Sequence, residues 1–263
     1  MALLLASALA LAVTQVVGAT AAAAATATVS AVGSLITHTN QPSLAQESVQ
    51  VSPAAGHVLA VAVETKFPGT ASFTASTISG GGVNTWNRAS AYLTVDGFHG
   101  QELWWGTVTS PGTSTLTVSY TGGATAGTSE SASSIDVQEF ASSAGTSTVW
   151  SVDKTGKVDD GTTATTLDYP TLTPSAPPEA YFGYLAVPGS VSPGNTSGVV
   201  YQSDARFNQV IYDVSVSGTI TPTATSSAQT YSSIGMLLTA STAADTTPPA
   251  TPTGLAVSGS PTS

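Results

Sequence analysis

Eight runs of strand-forming residues, each cut off by turn-forming ones, dominate this sequence. They are Ser30–Thr37, His57–Lys66, Gln101–Val108, Thr113–Tyr120, Ser131–Phe140, Glu179–Val187, Phe207–Val216 and Gln229–Thr239. Each is rich in Val, Ile, Tyr, Phe, Trp or Thr. Between them fall Pro53-Ala-Ala-Gly56, Gly80-Gly-Gly82, Asp96-Gly97, Pro111-Gly112, Gly122-Gly123, Asp160-Gly161, Pro193-Gly194 and Ser217-Gly218, all turn-forming combinations. No window combines a helical apolar period with capping residues. Short strands at spacings of about 10–20 residues predict an all-β, antiparallel β-sandwich or jelly-roll-like fold. Two runs also predict burial. Val58–Val63 is apolar on both parities, so it belongs in the middle of a sheet covered on both faces. In Thr113–Tyr120 the apolar Leu116, Val118 and Tyr120 alternate with Thr115, Thr117 and Ser119, the pattern of a sheet wet on one side.

The chain carries 5 basic and 15 acidic residues and no cysteine, with 8% charged and 41% hydrophobic residues. The bases, Lys66, Arg88, Lys154, Lys157 and Arg206, are too few and scattered to neutralise a nucleic-acid backbone or an anionic membrane. Thiolate zinc, iron–sulfur centres and disulfides are excluded. The fold must rest on its apolar core, which 263 residues suffice to build. The composition argues against disorder and for an extracellular all-β protein, expected as a monomer.

Ala2–Val13 is an apolar run followed by small residues, with Val17-Gly18-Ala19 and Ala19-Thr20-Ala21 as cleavage candidates. No Lys or Arg precedes it, and polar Thr14-Gln15 ends it short of the roughly 20 residues of a membrane span. Residues 1–21 are therefore expected to be a signal peptide and 22–29 a low-complexity linker. The sandwich module is expected over 30–241, and a Pro/Thr linker over 242–253. Inside the module, Ser133–Ser142 echoes Ser232–Ser241, and Val51–Leu59 echoes the segment from Leu172. The two echoes have different offsets, so they fit either two similar halves or ordinary strand similarity.

Asp245-Thr-Thr-Pro-Pro-Ala-Thr-Pro-Thr-Gly-Leu-Ala-Val257 resembles the opening of a bacterial fibronectin type III domain. Residues 254–263 are then the truncated start of such a domain. The larger part, roughly 28–241, resembles a β-sandwich module of secreted actinobacterial proteins. The resembling pieces are Thr37–Asn40, Pro53–Val63, Ile78–Trp86, Gln101–Trp104, Val137–Phe140 and Ile234–Leu238. In relatives this module sits beside fibronectin type III domains and carbohydrate-active domains such as glycoside hydrolases. The resemblance implies work on polysaccharide and a cell-wall or polysaccharide partner; it carries over no catalytic residue.

Sugar rings stack on exposed aromatic faces while amides and carboxylates bond their hydroxyls. Gln101-Glu-Leu-Trp-Trp-Gly106 is the most informative segment for such binding. Neighbouring strand residues point to opposite faces, so Trp104 and Trp105 part company. Trp105 is expected in the core with Leu103, and Trp104 beside Glu102 on the other face. That face is either an open stacking platform, with Trp86, Arg88 and Tyr92 lining it, or is itself covered. Arg88 is expected to pair with Glu102 or Glu139. Those two carboxylates are the candidates for glycoside hydrolysis, which needs a pair about 5–10 Å apart. His38, His57 and His99 accompany no nucleophile elbow and read as turn-proximal residues. No cofactor is implied. Calcium is the one plausible ion, with Asp153, Asp159 and Asp160 near one turn and Asp96 in another; an ordinary acidic turn explains them as well. The reading is a secreted accessory module that binds carbohydrate or a surface through Trp104, Trp105, Glu102, Trp86 and Tyr92. The alternatives are a structural or adhesive sandwich without ligand, and a sandwich that is itself a glycosidase or lyase.

Overall fold

Among the described residues the alternation of apolar and hydroxyl residues resolves into fourteen strands. The computed structural model describes residues 25–40, 45–66, 73–93, 99–122, 132–204 and 206–244. The expected signal peptide and fibronectin type III start lie outside them, as do Asp96 and the side chains of His99 and Asp160. In chain order the strands are β1 (Val29–Asn40), β2 (Gln46–Val51), β3 (Val58–Lys66), β4 (Phe73–Gly80), β5 (Asn87–Leu93), β6 (His99–Thr107) and β7 (Ser114–Gly122). There follow β8 (Ala132–Ser142), β9 (Thr148–Asp168), β10 (Glu179–Ala186), β11 (Val191–Ser192), β12 (Val200–Ser203), β13 (Gln209–Val216) and β14 (Thr223–Thr242). One 3-10 turn, Gly145–Ser147, is the single helical element among the described residues. None of these residues forms a helix long and apolar enough to cross a membrane.

The fold is all-β, with antiparallel sheets packed face to face. One sheet has the order β1-β8-β3-β6-β5. A second runs β11-β14-β10-β13-β12, with β9 along the opposite edge of β14. The third and smallest is β2-β7-β4. The five-stranded sheet is the middle layer. Val58, Ala60, Ala62, Leu103 and Phe140 on one face meet Phe182, Tyr184, Ile234, Met236 and Leu238 of the second sheet. Leu59, Val61, Val63, Trp104, Ile135 and Val137 on its other face meet Val49, Val51, Ile78, Leu116, Val118 and Tyr120 of the third. Val58–Val63 is thus buried on both parities, as its composition predicts, and β7 buries Leu116, Val118 and Tyr120. A third apolar cluster, around Tyr169, Tyr181, Leu185, Ile211 and Leu237, backs the second sheet.

Three expectations shift. Asp160-Gly161 is not a turn but part of β9, which runs unbroken along β14 through register shifts near Gln229 and Tyr231. Phe207 stands in the turn before β13 rather than opening the strand. Strands β2, β4, β5, β9, β11 and β12 escape the composition scan. In β2 the outward positions are Gln46, Ser48 and Gln50, and Thr fills many of those of β9; such residues punctuate loops as readily as they coat a wet sheet face.

Candidate functional site

The predicted aromatic residues fall on two sides of the middle sheet. Trp104, placed by the sequence on the face opposite Trp105, either open or covered, is buried at 8% exposure between the middle and smallest sheets. Trp105, expected in the core, is only half-buried and packs against the edge of the opposite core. The physical reason lies in the third sheet. It covers the face Trp104 occupies, and the pattern around Trp104 carries no trace of it. Glu102 accepts hydrogen bonds from Trp104 Nε1 at 3.0 Å and Ala75 N at 2.8 Å, and from Arg88 Nη1 at 3.4 Å. Arg88 also lies over the Trp104 ring, 5.6 Å from its centroid. Burial raises the Glu102 pKa, against the lowering influence of Arg88 and these hydrogen bonds. Trp86 joins this group, half-buried and donating to the Gly80 carbonyl at 3.2 Å. Tyr92 turns the other way, toward Trp105. Its hydroxyl donates to Asp159, and Lys157 sits over its ring at 4.7 Å.

Glu139 does not meet Arg88. Its Oε1 lies 2.5 Å from His57 Nδ1 and accepts from Ala54 N at 3.0 Å. Glu102 aligns with Val63 of β3 and Glu139 with Leu59. That is four residues of strand, about 13 Å, with each carboxylate tied to its own partners. They do not flank a common glycosidic bond. Asp153 and Asp159 lie six positions apart on one strand, and Asp153 accepts from Ser175 N at 2.8 Å. Among the described residues no cluster of acidic or histidine side chains could hold a metal ion.

A polar site of a different origin forms where the main core ends. Along β3 the face that packs on the second sheet reads Val58, Ala60, Ala62, then Glu64. Asp136 and Ser134 of β8 pair with Ala62 and Glu64 across the strand, and Tyr184 of β10 faces them. The turn between β12 and β13 closes over this end. Asp204 Oδ1 accepts from Arg206 N at 2.7 Å and Asn208 N at 2.9 Å. This holds Phe207 at φ 68, a left-handed conformation, with its ring 63% exposed. Bulky residues rarely adopt that conformation. Beside this turn opens a small cleft lined by Glu64, Lys66, Val187, Pro188 and the two neighbours of Phe207 in the chain, Arg206 and Asn208.

Hydrogen counting shows how the three acids coexist. Asn208 Nδ2 donates one hydrogen to Glu64 Oε2 at 2.8 Å and one to Asp204 Oδ2 at 3.1 Å. Tyr184 OH lies 3.2 Å from each of the same two oxygens. Ser134 Oγ stands 2.8 Å from Asp136 Oδ2 and 3.2 Å from Asp204 Oδ2. A hydroxyl has one hydrogen, so Tyr184 and Ser134 can each donate to only one of their two carboxyl neighbours at a time, and the cluster favours holding a proton on an acid. Asp136 is that acid. Complete burial pushes its pKa well above the usual carboxylate range, reinforced by the charges of Asp204 and Glu64. Ser134 Oγ donates to Asp136 Oδ2 or to Asp204 Oδ2. Asp136 Oδ1 has no partner among the described residues.

Sequence reading missed this site because its members are dispersed. Phe207 and Arg206 are visible only as one aromatic and one base among others, and Glu64 and Asp136 as polar residues inside strands. One local signal exists: Asp204, Arg206 and Asn208 bracket an aromatic within five residues, a turn-forming set around a residue that turns seldom expose. Comparison with protein-family models, with curated proteins and with solved structures returns no match at all.

Proposed function

We propose that this chain is a secreted, non-catalytic module that binds polysaccharide, and that the exposed Phe207 ring and the cleft lined by its neighbours Arg206 and Asn208 are its binding site. The observation that carries the reading is an aromatic ring held outward in a strained turn beside amide, carboxylate and cationic groups. Ring stacking with hydrogen bonding at its edge is how sugars are gripped, and strain of this kind gathers at ligand sites. The acids there are 3% exposed at Glu64 and 5% at Asp204. They are engaged in holding the turn, which suits binding better than turnover. In this reading the Pro/Thr linker tethers the module to further domains and raises their effective concentration on the polymer.

The test is retention of the full chain on insoluble cellulose, chitin, xylan, starch and pectin, with Phe207→Ala and Trp105→Ala beside the wild type. Retention on one polymer, lost in Phe207→Ala while the melting temperature holds, is the expected result. Loss in Trp105→Ala alone moves the platform to the Trp105–Tyr92 side. No retention on any polymer leaves the adhesive or structural role.

A further inference from the structure

We infer that the cleft recognises a sugar bearing an anionic substituent, a uronate carboxylate or a comparable group, rather than a neutral glycan. This rests on the binding role proposed above and narrows it. The chain has only five bases, and three have structural work elsewhere. Arg88 pairs with Glu102 and covers Trp104. Lys154 lies 3.5 Å from Asp153, and Lys157 covers Tyr92. The other two, Lys66 and Arg206, both line the cleft. Lys66 is exposed and makes no ion pair with a described residue. Arg206 approaches Glu64 only at 3.7 Å, and its buried Nε has no hydrogen-bond partner among the described residues.

Glu64 Oε2, which accepts from Asn208 and lies near Tyr184, also lies 3.7 Å from Arg206 Nε. It offsets part of the Arg206 charge, which leaves the charge of the exposed Lys66 and the remaining guanidinium donors to face the mouth. A guanidinium with unused donors is built for a two-oxygen anion, because its planar fork matches a carboxylate or a sulfate. An ammonium alongside adds charge without demanding geometry. Phe207 supplies the face for the sugar ring, so ring and charge together define a charged sugar residue. The chain's net charge of −10 repels a polyanion at long range. At about 0.15 M salt the Debye length falls to roughly 8 Å, which leaves the contacts within the cleft to decide.

The experiment measures binding of the full chain at that ionic strength to polygalacturonate and to the same polymer after complete methyl esterification. Dextran sulfate and dextran form a second charged and neutral pair. The variants are Arg206→Gln, Arg206→Lys, Lys66→Gln and Phe207→Ala. Esterification is expected to weaken binding about tenfold or more, the effect of one charge-assisted bidentate contact. Arg206→Gln should bring the charged polymer to the level of its ester without changing affinity for the ester. Arg206→Lys should recover only part, and Lys66→Gln, at an exposed position, gives the same direction should Arg206→Gln unfold. Binding to polygalacturonate but not dextran sulfate assigns a carboxylate; binding to both assigns any anionic substituent. Equal, Phe207-dependent binding to acid and ester overturns the charge inference and leaves the module reading standing. No binding to any polymer overturns both.

Discussion

Single residues in this protein carry conflicting demands, and Asp136 shows it most plainly. Its folded pKa lies well above the ordinary carboxylate value, chiefly from burial. Between those two values the folded chain holds a proton that the unfolded chain has released. Unfolding then releases a proton, so stability falls as pH rises through that window and is fully present below it. Asp136→Asn keeps the neutral shape and a hydrogen-bonding group toward Ser134. It should raise the melting temperature at neutral pH and flatten its dependence above about pH 4, the ordinary carboxylate value, as followed by thermal melts of both proteins. Phe207 poses the opposite conflict. A side chain in the left-handed region costs about 1–2 kcal/mol, which Phe207→Gly relieves. The freer unfolded chain takes part of that back, leaving a net gain of under about 1 kcal/mol. A higher melting temperature together with lost polymer retention is the expected pair of results. Retained binding in that variant would show that the ring is not the platform. The sequence displayed Phe207 and Asp136 but not their conflicts. Strain and desolvation come from neighbours distant in the chain.

At the scale of elements, legibility depends on how much a strand buries. The doubly apolar β3 and the alternating β7 are read correctly from composition, since each pattern has one physical explanation. The 21 residues of β9 are mostly Thr, Asp, Gly and Lys, and only pairing with β14 makes them a strand. The adjacent tryptophans mark the boundary of what a strand can disclose about itself. Parity separates Trp104 from Trp105, but the choice of covered face belongs to β2, β4 and β7. This difference is measurable. Trp104 anchors the smallest sheet and satisfies Glu102, so Trp104→Ala should destabilise by about 3–5 kcal/mol. Trp105, half-buried at an edge, should cost clearly less on truncation. Urea unfolding of the two variants compares them directly. A larger loss at Trp105 would mean that the smallest sheet is held by something other than this tryptophan.

The whole molecule repeats one path twice. Numbered along the chain within its own sheet, the middle sheet runs first, fifth, second, fourth, third through β1-β8-β3-β6-β5. The larger sheet gives the same order through β9-β14-β10-β13-β12, with the short β11 added beside β14. The two sequence echoes, irreconcilable as a single offset, meet in this topology. Val137 and Met236 hold matching places in one echo, and Val61 and Phe182 in the other when it is continued without gaps. In the structure Val61 pairs with Val137, and Phe182 with Met236. The offsets differ because the connections between equivalent strands differ in length, the first half also carrying β4 and β7 of the smallest sheet between β3 and β8. Similar halves do not make independent ones. The second sheet's Phe182, Tyr184, Ile234 and Met236 are buried by the first, and alone they would face water across one whole side. Residues 148–243 expressed by themselves should therefore show no near-ultraviolet dichroism and no cooperative melt. Mixed with residues 25–147, they should regain both, because among the described residues the middle sheet is what closes that face. A cooperative melt from 148–243 alone would show instead that each half carries its own stability, with the core between them an interface rather than a requirement for folding.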